Sequence, residues 1–338
     1  MWPTDRKFDN RMIDFTIARC NSCGLFQRID FSEKSLSDLY MSEQFVLDNS
    51  QDMSRRSNLI NKFLVNSESK ILDIGGGTNS YYTLLNRGKF NILDFTISND
   101  LKNDRIYCYE MNVSELPSLK EKFDVISIFH TLEHVYDPFV LVKSIYEKLN
   151  VNGITIIEVP DISEVIFHNP IYAFFPQHVT YFTKRSLSSL VEKAGFEILD
   201  VSNSGTSVVL IAKKSEGKLL SRTERAFEKK GDLILDFNFN IEKIGNALEK
   251  GVTEPLQFIG VGGSLTCLFS YFDWLPKYAD GFFDRDVSKV DLTVPFTNKT
   301  VKPIELANPD KRFFFMNQSV AEHYEKSFGH RITYFVAN

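Results

Sequence analysis

The 338-residue chain has little of what marks membrane, secreted or nucleic-acid-binding proteins. No apolar run reaches the roughly 18 residues that a membrane span needs, and residues 1–7 lack the apolar core of a signal peptide. Four cysteines are too few for a disulfide framework. A net charge of -5 disfavours a broad nucleic-acid-binding surface. We therefore expect a cytoplasmic protein that contacts neither a membrane nor nucleic acid.

What the chain does contain is a pattern of alternating strands and helices that is long enough for two domains. We predict four segments: an N-terminal module over 1–64, helical from residue 32; an α/β domain over 65–213; a helical linker over 214–253; and a second α/β domain over 254–338. Within the first α/β domain we expect strands at 90–95, 123–129 and 154–160, a helix at 139–149 closed by a turn at 150–153, and a final hairpin at 196–201 and 207–212.

A glycine turn follows the first apolar strand of the α/β domain, and a helix is expected to begin at residues 81–85. The turn is Gly75-Gly76-Gly77, and Ser80 stands where a dinucleotide fingerprint would have its third glycine. Asp73 lies two residues before the turn, where its charge would repel a pyrophosphate but suit an amino group or a sulfonium. The turn therefore favours S-adenosylmethionine, against the alternative of a tight turn without a ligand.

Further polar residues follow the later strands of the same domain. Asp94 lies about twenty residues after Asp73, where an acid commonly binds ribose hydroxyls. His130-Thr131-Leu132-Glu133-His134 matches a zinc-protease pattern that must lie on a helix. Here His130 ends an apolar strand instead, so we expect these residues at the ligand-binding edge of the sheet. Residues 161–185, which include His178, form a long insertion that is typical of an active-site lid.

Two other features leave alternatives open. Cys20 and Cys23 have the spacing of half a zinc site, but Cys108 and Cys267 are remote in sequence. The pair therefore indicates an incomplete zinc site, a site completed by a partner, or a relic. Residues 260–263 form a second glycine turn, which suits either a phosphate or the tight packing of a helix on a strand.

The ordered segments resemble the class I S-adenosylmethionine-dependent methyltransferases. The resemblance is carried by Ile71-Leu72-Asp73-Ile74-Gly75-Gly76-Gly77, Asp94, Asn112 before Leu116-Pro117, Phe123-Asp124-Val125, His130-x-x-Glu133-His134-x-x-Asp137-Pro138, Phe182-Thr183 with Ser186-Leu187, and Ala194-Gly195-Phe196. It implies a Rossmann-like domain that binds S-adenosylmethionine. The cofactor-binding residues would be Asp73, Gly75, Gly76 and Gly77 at the methionine part, Asp94 at the ribose, Asn112 and Val113 beside the adenine, and His130.

Over nearly the whole chain the sequence is similar to the nucleotide-sugar C-methyltransferases. The similarity adds Cys20-x-x-Cys23-Gly24-Leu25, Phe283-Asp284, and Val294-Pro295-Phe296 with Thr300-Val301-x-Pro303-Ile304. It implies an N-terminal zinc module, a second, C-terminal Rossmann-like domain, and a substrate bound between domains. The family's base segment reads Tyr-x-Glu-His, and Phe175-Pro176-Gln177-His178 stands here, so His178 matches the general base.

We therefore expect methyl transfer from S-adenosylmethionine to a small molecule, with a nucleotide-linked sugar as the acceptor. His178 is the first candidate for the general base, with His134 and His130 behind it. Carbon, oxygen and nitrogen acceptors all stay open, as does the oligomeric state. The competing hypotheses are a nicotinamide-dependent sugar oxidoreductase that uses the second glycine turn and a non-catalytic scaffold.

Overall fold

The computed structural model describes residues 16–20, 24–30, 50–77, 81–102, 106–174, 177–215, 232–315, 321–322 and 334–336. In chain order the strands are β1 Ile17–Arg19, β2 Phe26–Arg28, β3 Lys70–Ile74, β4 Lys89–Asp94, β5 Ile106–Glu110, β6 Phe123–Phe129, β7 Leu149–Pro160, β8 Thr180–Tyr181, β9 Phe196–Ser204, β10 Ser207–Lys214, β11 Leu256–Ile259, β12 Ala279–Asp284, β13 Val301–Pro303, β14 Phe313–Phe315 and β15 Tyr334–Val336. The α-helices are α1 Ser50–Asn61, α2 Pro138–Lys148, α3 Ile162–His168, α4 Lys184–Ala194, α5 Leu233–Gly251 and α6 Gly263–Tyr271.

A seven-stranded sheet with the order β5-β4-β3-β6-β7-β10-β9 forms the first α/β unit. Strands β3 to β7 pair in parallel, whereas β10 runs antiparallel to β7 and β9. Side chains alternate between two apolar cores: Leu72 and Ile126 pack into one, and Ile71 and Val125 into the other. Burial on both faces explains why these strands read as continuous apolar runs. The predicted α/β class and the closing hairpin are confirmed.

The strand order reverses between β3 and β6, which places a crevice at their carboxyl ends. From β3 the chain moves outward through β4 and β5, and it then returns to β6 on the other side of β3. Open α/β sheets bind their ligands at such a switch point. The glycine turn follows β3 and His130 follows β6, so the two predicted groups of site residues meet at this edge.

The segment expected to be a lid has regular structure of its own. Helix α3 follows β7, and a short 3-10 helix covers Pro170–Tyr172. Strand β8 then joins β2 and β1 in a separate three-stranded sheet. The segment therefore ties the N-terminal strands to the edge of the main sheet.

A third sheet lies in the C-terminal part of the chain, with five parallel strands in the order β13-β12-β11-β14-β15. The second glycine turn joins β11 to α6, and Gly260 has a φ of 79°. The apolar side of α5 packs into the same core through Ile244 and Leu248. Asn240 Nδ2 on α5 also donates to the carbonyl of Ile166 on α3 at 3.0 Å, which links this unit to the segment after β7.

Two local predictions are wrong. The turn expected at 150–153 belongs to β7, because Leu149 already pairs with Phe123 across a register shift and Asn152 takes a φ of 63° within the strand. The helix expected from residue 81 is only the 3-10 helix Tyr81–Leu84, since Gly88 turns the chain into β4 with a φ of 103°. Of the helix expected from residue 32, α1 is observed and residues 31–49 lie outside the described part. Residues 216–231 of the helical linker expected over 214–253 also lie outside it.

None of the helices in the described part combines the length and apolar character that crossing a membrane would take.

Candidate active site

The glycine turn packs so tightly that side chains would collide with it at each position. A Cβ on Gly75 would lie 2.0 Å from Thr131 Oγ1, and Gly75 has a φ of 79°. A Cβ on Gly76 would lie 1.8 Å from Asp73 Oδ2, and one on Gly77 would lie 2.1 Å from the carbonyl oxygen of Thr96. Packing alone therefore requires the three glycines, and the choice of ligand depends on the groups around them.

Asp73 is a buried carboxylate, 2% exposed, at the end of β3. Its Oδ1 accepts a hydrogen bond from Ser127 Oγ at 2.8 Å, and Tyr81 OH lies 3.2 Å from that hydroxyl. Burial and the neighbouring charge of Asp73 raise the pKa of Tyr81 well above its usual value. The phenol is therefore neutral, and β3, β6 and the 3-10 helix together hold the carboxylate in place.

Asp94 connects the glycine turn to the end of β4. Its Oδ2 accepts a hydrogen bond from the backbone N–H of Gly77 at 2.9 Å, and its Oδ1 accepts one from Thr96 at 3.4 Å. Burial raises the pKa of Asp94, and these backbone donors oppose the rise only partly. The carboxylate thus lies one strand away from Asp73, on the same edge of the sheet.

Asn112 and Val113 begin a 3-10 helix after β5. The Asn112 side chain accepts hydrogen bonds from the backbone N–H and the hydroxyl of Ser114, both at 2.9 Å, and Glu115 completes a capping box. Val113 packs against the main core. Both residues therefore have a local structural role, and their contact with adenine stays a prediction.

His130 lies between two carboxylates at the end of β6. Its backbone has a φ of 49°, which is rare outside glycine. Nδ1 is 3.3 Å from Glu133 Oε1, and Nε2 is 3.4 Å from Glu158 Oε1. Burial opposes the imidazolium, but the hydrogen bonds to Glu133 and Glu158 outweigh it and raise the pKa of His130 to about 9. His130 is therefore a cation at neutral pH and is unsuited to accept a proton.

Glu158 is a site residue that the sequence reasoning missed, together with two arginines on α1. Arg55 Nη2 lies 2.7 Å from Glu158 Oε1, and Arg56 Nε lies 3.3 Å from Oε2. Burial works against the charge, but hydrogen bonds from His130 and the arginine charges lower the pKa of Glu158 to about 2. A lone acid within the apolar run of β7 was the available signal.

His134 and His178 come together on the other side of Glu133. Their ring centroids are 4.8 Å apart, and the rings meet edge to face. Burial lowers the pKa of both rings, that of His178 to about 3, with the charge of His134 as a further cause for His178. Both rings are therefore neutral at pH 7. The zinc-protease arrangement is not formed, because His130 ends a strand and turns towards Glu158 rather than sharing a helix face with His134.

Comparison with known proteins indicates which kind of domain contains this region. A family model described as a methyltransferase domain matches residues 49–201, which include β3 to β7 and every one of the residues above. The chain carries a methyltransferase domain.

Two methyltransferases are among the solved structures that match part of this chain. One is the 1,6-didemethyltoxoflavin-N1-methyltransferase of Burkholderia thailandensis with bound 1,6-didemethyltoxoflavin and S-adenosylhomocysteine, at 17% identity and a TM-score of 0.45, covering 61% of this chain and 99% of that one. The other is a SAM-dependent methyltransferase from Archaeoglobus fulgidus, at 20% identity and a TM-score of 0.40, covering 52% and 99%. None of the curated proteins matches the sequence.

Of the predicted zinc pair, Cys20 directly follows β1, outside the sheet that carries the methyltransferase edge. Cys20 is exposed, and Cys23 lies outside the described residues. Cys20 and Gly24 form a tight turn, in which the Gly24 N–H donates to the carbonyl of Cys20 at 2.9 Å. Within the described ranges, Cys20 is not part of any group of three residues that could hold a metal. Zinc at Cys20 and Cys23 stays a prediction.

Proposed function

We propose that the methyltransferase binds S-adenosylmethionine across the carboxyl ends of β3 and β4 and methylates a small molecule held beside Glu133, His134 and His178. The acceptor in this proposal is a nucleotide-linked sugar. The observation that carries the proposal is the buried carboxylate of Asp73 before the glycine turn, at the switch point of the sheet.

The residues at this edge fit the cofactor. Bound S-adenosylmethionine supplies a methyl group on a positively charged sulfur. Asp73 is a fixed anion that suits the charged methionine part, whereas it would repel a pyrophosphate. The turn of Gly75, Gly76 and Gly77 exposes backbone in place of side chains, and Asp94 would accept hydrogen bonds from the ribose hydroxyls. Asn112 and Val113, one strand further out, would flank the adenine.

The acceptor in this proposal lies on the side of β6. His178 is the predicted proton acceptor, but burial lowers the pKa of its ring to about 3, so it holds a proton poorly. It could take a proton only from an acceptor that another group has made more acidic. This condition favours an oxygen or nitrogen acceptor over a carbon acid, because a hydroxyl or amine proton is transferred more easily than a C–H proton.

The C-terminal sheet provides the proposed site for the nucleotide. In this proposal residues 254–338 form a second Rossmann-like domain, with its glycine turn at the carboxyl end of β11 and Asp284 at the end of β12. Ile171, from the segment after α3, packs into the core of that unit. The segment that holds His178 therefore also reaches the C-terminal domain, which supports an acceptor bound between the two.

Transfer of an isotope-labelled methyl group tests this function. The full-length enzyme is incubated with S-adenosylmethionine carrying a carbon-13 methyl group and with matched pairs of nucleotide-linked and free sugars. We expect label on a nucleotide-linked sugar and none on the free sugar, and the carbon shift of the methyl group distinguishes C-, O- and N-methylation. An Asp73→Asn variant, which keeps the shape of the side chain, serves as the control without the charge.

Equal labelling of the free sugar would show that the acceptor does not need the nucleotide. The absence of label on every sugar would contradict the proposal that the acceptor is a sugar. A fluorescence titration that shows NADH binding instead would favour the oxidoreductase hypothesis.

A further inference from the structure

We propose that Glu133, His134 and His178 form a binding site for one divalent transition-metal ion. Their ligand atoms all lie within 4.8 Å of one another. Two imidazoles and one carboxylate are a ligand set used by zinc and iron(II) sites that keep a position open for water or a substrate. The site differs from the sequence-predicted zinc pair at Cys20 and Cys23, and it does not use His130 as a ligand.

Regular backbone brings the three side chains together. Glu133 and His134 lie on the 3-10 helix Leu132–His134, directly after β6. The backbone N–H of Val179 donates to the carbonyl of Glu133 at 2.8 Å, so the residue before it, His178, is held against this helix. Val179 is itself fixed by the N–H of Arg28 on β2. The cluster is thus positioned by β6, β2 and the approach to β8.

A hydrogen bond sets which nitrogen of His134 can bind a metal. Nδ1 lies 3.1 Å from the carbonyl oxygen of Gln177. Because a carbonyl oxygen only accepts, Nδ1 must carry the proton and Nε2 must carry the lone pair in a neutral ring. Nε2 is the atom that faces Glu133, at 3.8 Å from its Oε1. This arrangement is typical of metal-ligating histidines, whose other nitrogen donates to a carbonyl or carboxylate.

Glu133 gives the second, independent observation. Its side chain is 2% exposed, and His130 binds only Oε1. Oε2 is buried, and within the part of the chain that the structure describes it has no hydrogen-bond partner. Buried carboxylate oxygens are costly without a partner, and paired or metal-bound carboxylates are the usual solution. A cation between Glu133 and the two histidines would satisfy this oxygen, with His130 positioning the carboxylate from outside.

The ligand set indicates the class of metal. Metal bonds of about 2.1 Å place tetrahedral ligands about 3.4 Å apart, so the cluster needs only small side-chain rotations to close around an ion. Two nitrogen ligands favour Zn²⁺, Co²⁺, Fe²⁺ or Mn²⁺ over Ca²⁺ and Mg²⁺, which prefer oxygen. Three protein ligands leave at least one position for another molecule.

The use of this site in catalysis rests on the proposed function. A hydroxyl of the acceptor at the open position would become more acidic. It would lose its proton to water, its oxygen would bond to the methyl carbon, and the sulfur would keep the electron pair of the broken bond. His178 would then be a ligand and not the general base, because the same lone pair cannot do both.

Metal titration of the full-length chain tests the site. Cys20→Ser and Cys23→Ser are introduced together so that this cysteine pair cannot bind metal, and the protein is stripped with a chelator. We expect one Co²⁺ per chain by calorimetry, with visible absorption bands but no thiolate charge-transfer band, and displacement by Zn²⁺. Glu133→Gln and His178→Gln should weaken binding by more than about 100-fold, and His130→Gln by about 10- to 100-fold as a positioning residue. His168→Gln, at an exposed histidine on α3, is the matched control and should change nothing.

The absence of stoichiometric binding in the protein that carries both serine substitutions would overturn the proposal. So would undiminished affinity in Glu133→Gln and His178→Gln proteins that melt as cooperatively as the parent. Calorimetry with S-adenosylhomocysteine on the metal-free protein separates the two proposals. If the protein binds this ligand but no metal, the metal-site proposal is wrong and the cofactor-site proposal stands. If it binds metal but not this ligand, only the cofactor-site proposal is wrong.

Discussion

Replacement of Gly77 by alanine adds a single carbon atom, Cβ, to the proposed cofactor site and so tests that site. The added Cβ would lie 2.1 Å from the carbonyl oxygen of Thr96 and 2.8 Å from Asp94 Oδ2. The first of these atoms is backbone and cannot rotate away, so the turn itself must move. That movement would disturb two hydrogen bonds, from the Gly77 N–H to Asp94 at 2.9 Å and from the Ser98 N–H to the Gly77 carbonyl at 2.8 Å.

The expected cost follows from these contacts. Overpacking in a tight site costs about 1–3 kcal/mol, and each hydrogen bond contributes about 0.5–1.5 kcal/mol. The variant would therefore need at least about 2 kcal/mol of free energy to adopt the binding-competent conformation of the turn. This corresponds to a loss of about 30-fold in affinity. We expect Gly77→Ala to weaken binding of S-adenosylhomocysteine by at least that factor, measured by calorimetry, together with a lower melting temperature.

Two other glycines supply matched controls. Gly205, in the hairpin between β9 and β10, has a φ of 57° but open space around its Cβ position, so Gly205→Ala isolates the conformational cost of about 1–2 kcal/mol. Gly262, in the second glycine turn, has open space and no positive φ. Gly205→Ala should lower stability without changing ligand affinity, and Gly262→Ala should change neither. Parental affinity in Gly77→Ala would refute the placement of the cofactor against this turn.

Other variants test the charges around the same edge. Asp94→Asn should weaken S-adenosylhomocysteine binding yet raise the melting temperature of the ligand-free protein at neutral pH. The raised pKa means that the ionised carboxylate is less favourable in the folded chain, and stability falls as the pH rises through that pKa; a lower melting temperature would contradict this. Arg56→Ala should cost about 1–3 kcal/mol in denaturant unfolding, because it removes the partner of Glu158 Oε2 at 3.3 Å while Arg55 and His130 still bind Oε1. Lys89→Ala, in an exposed pair with Glu68, should cost less than about 1 kcal/mol, and equal losses in the two variants would refute the dependence on burial.

Local sequence signals predicted the central sheet well. Apolar runs marked β3, β6 and β7, and Gly195, one of the residues that carry the family resemblance, ends α4 with a φ of 108°. These signals work because each element is specified by its own residues and by burial on both sides. The prediction of a turn at 150–153 was wrong because its polar and glycine residues are typical of a loop. In the structure Leu149 and Ile154, on either side of them, both pair with β6 across a register shift, and the strand continues.

The candidate site was predictable only in part, because its contacts join residues far apart in sequence. Asp73 and Asp94 lie at the ends of strands and can be recognised from spacing. The pairing of Glu158 with Arg55 and Arg56, and the meeting of His178 with His134, depend on how α1 and the segment before β8 pack. No spacing rule gives such contacts. The charge state of the histidines likewise follows from burial and neighbours: His130 is protonated and His178 is neutral, although their sequence contexts gave no reason to separate them.

The position of the cofactor is the central claim, and a crystal structure with S-adenosylhomocysteine tests it most directly. We predict the methionine part against Gly75, Gly76 and Gly77 beside Asp73, with the ribose hydroxyls within hydrogen-bond distance of the Asp94 carboxylate. Density for the ligand at the second glycine turn after β11, or a ribose turned away from Asp94, would contradict the account.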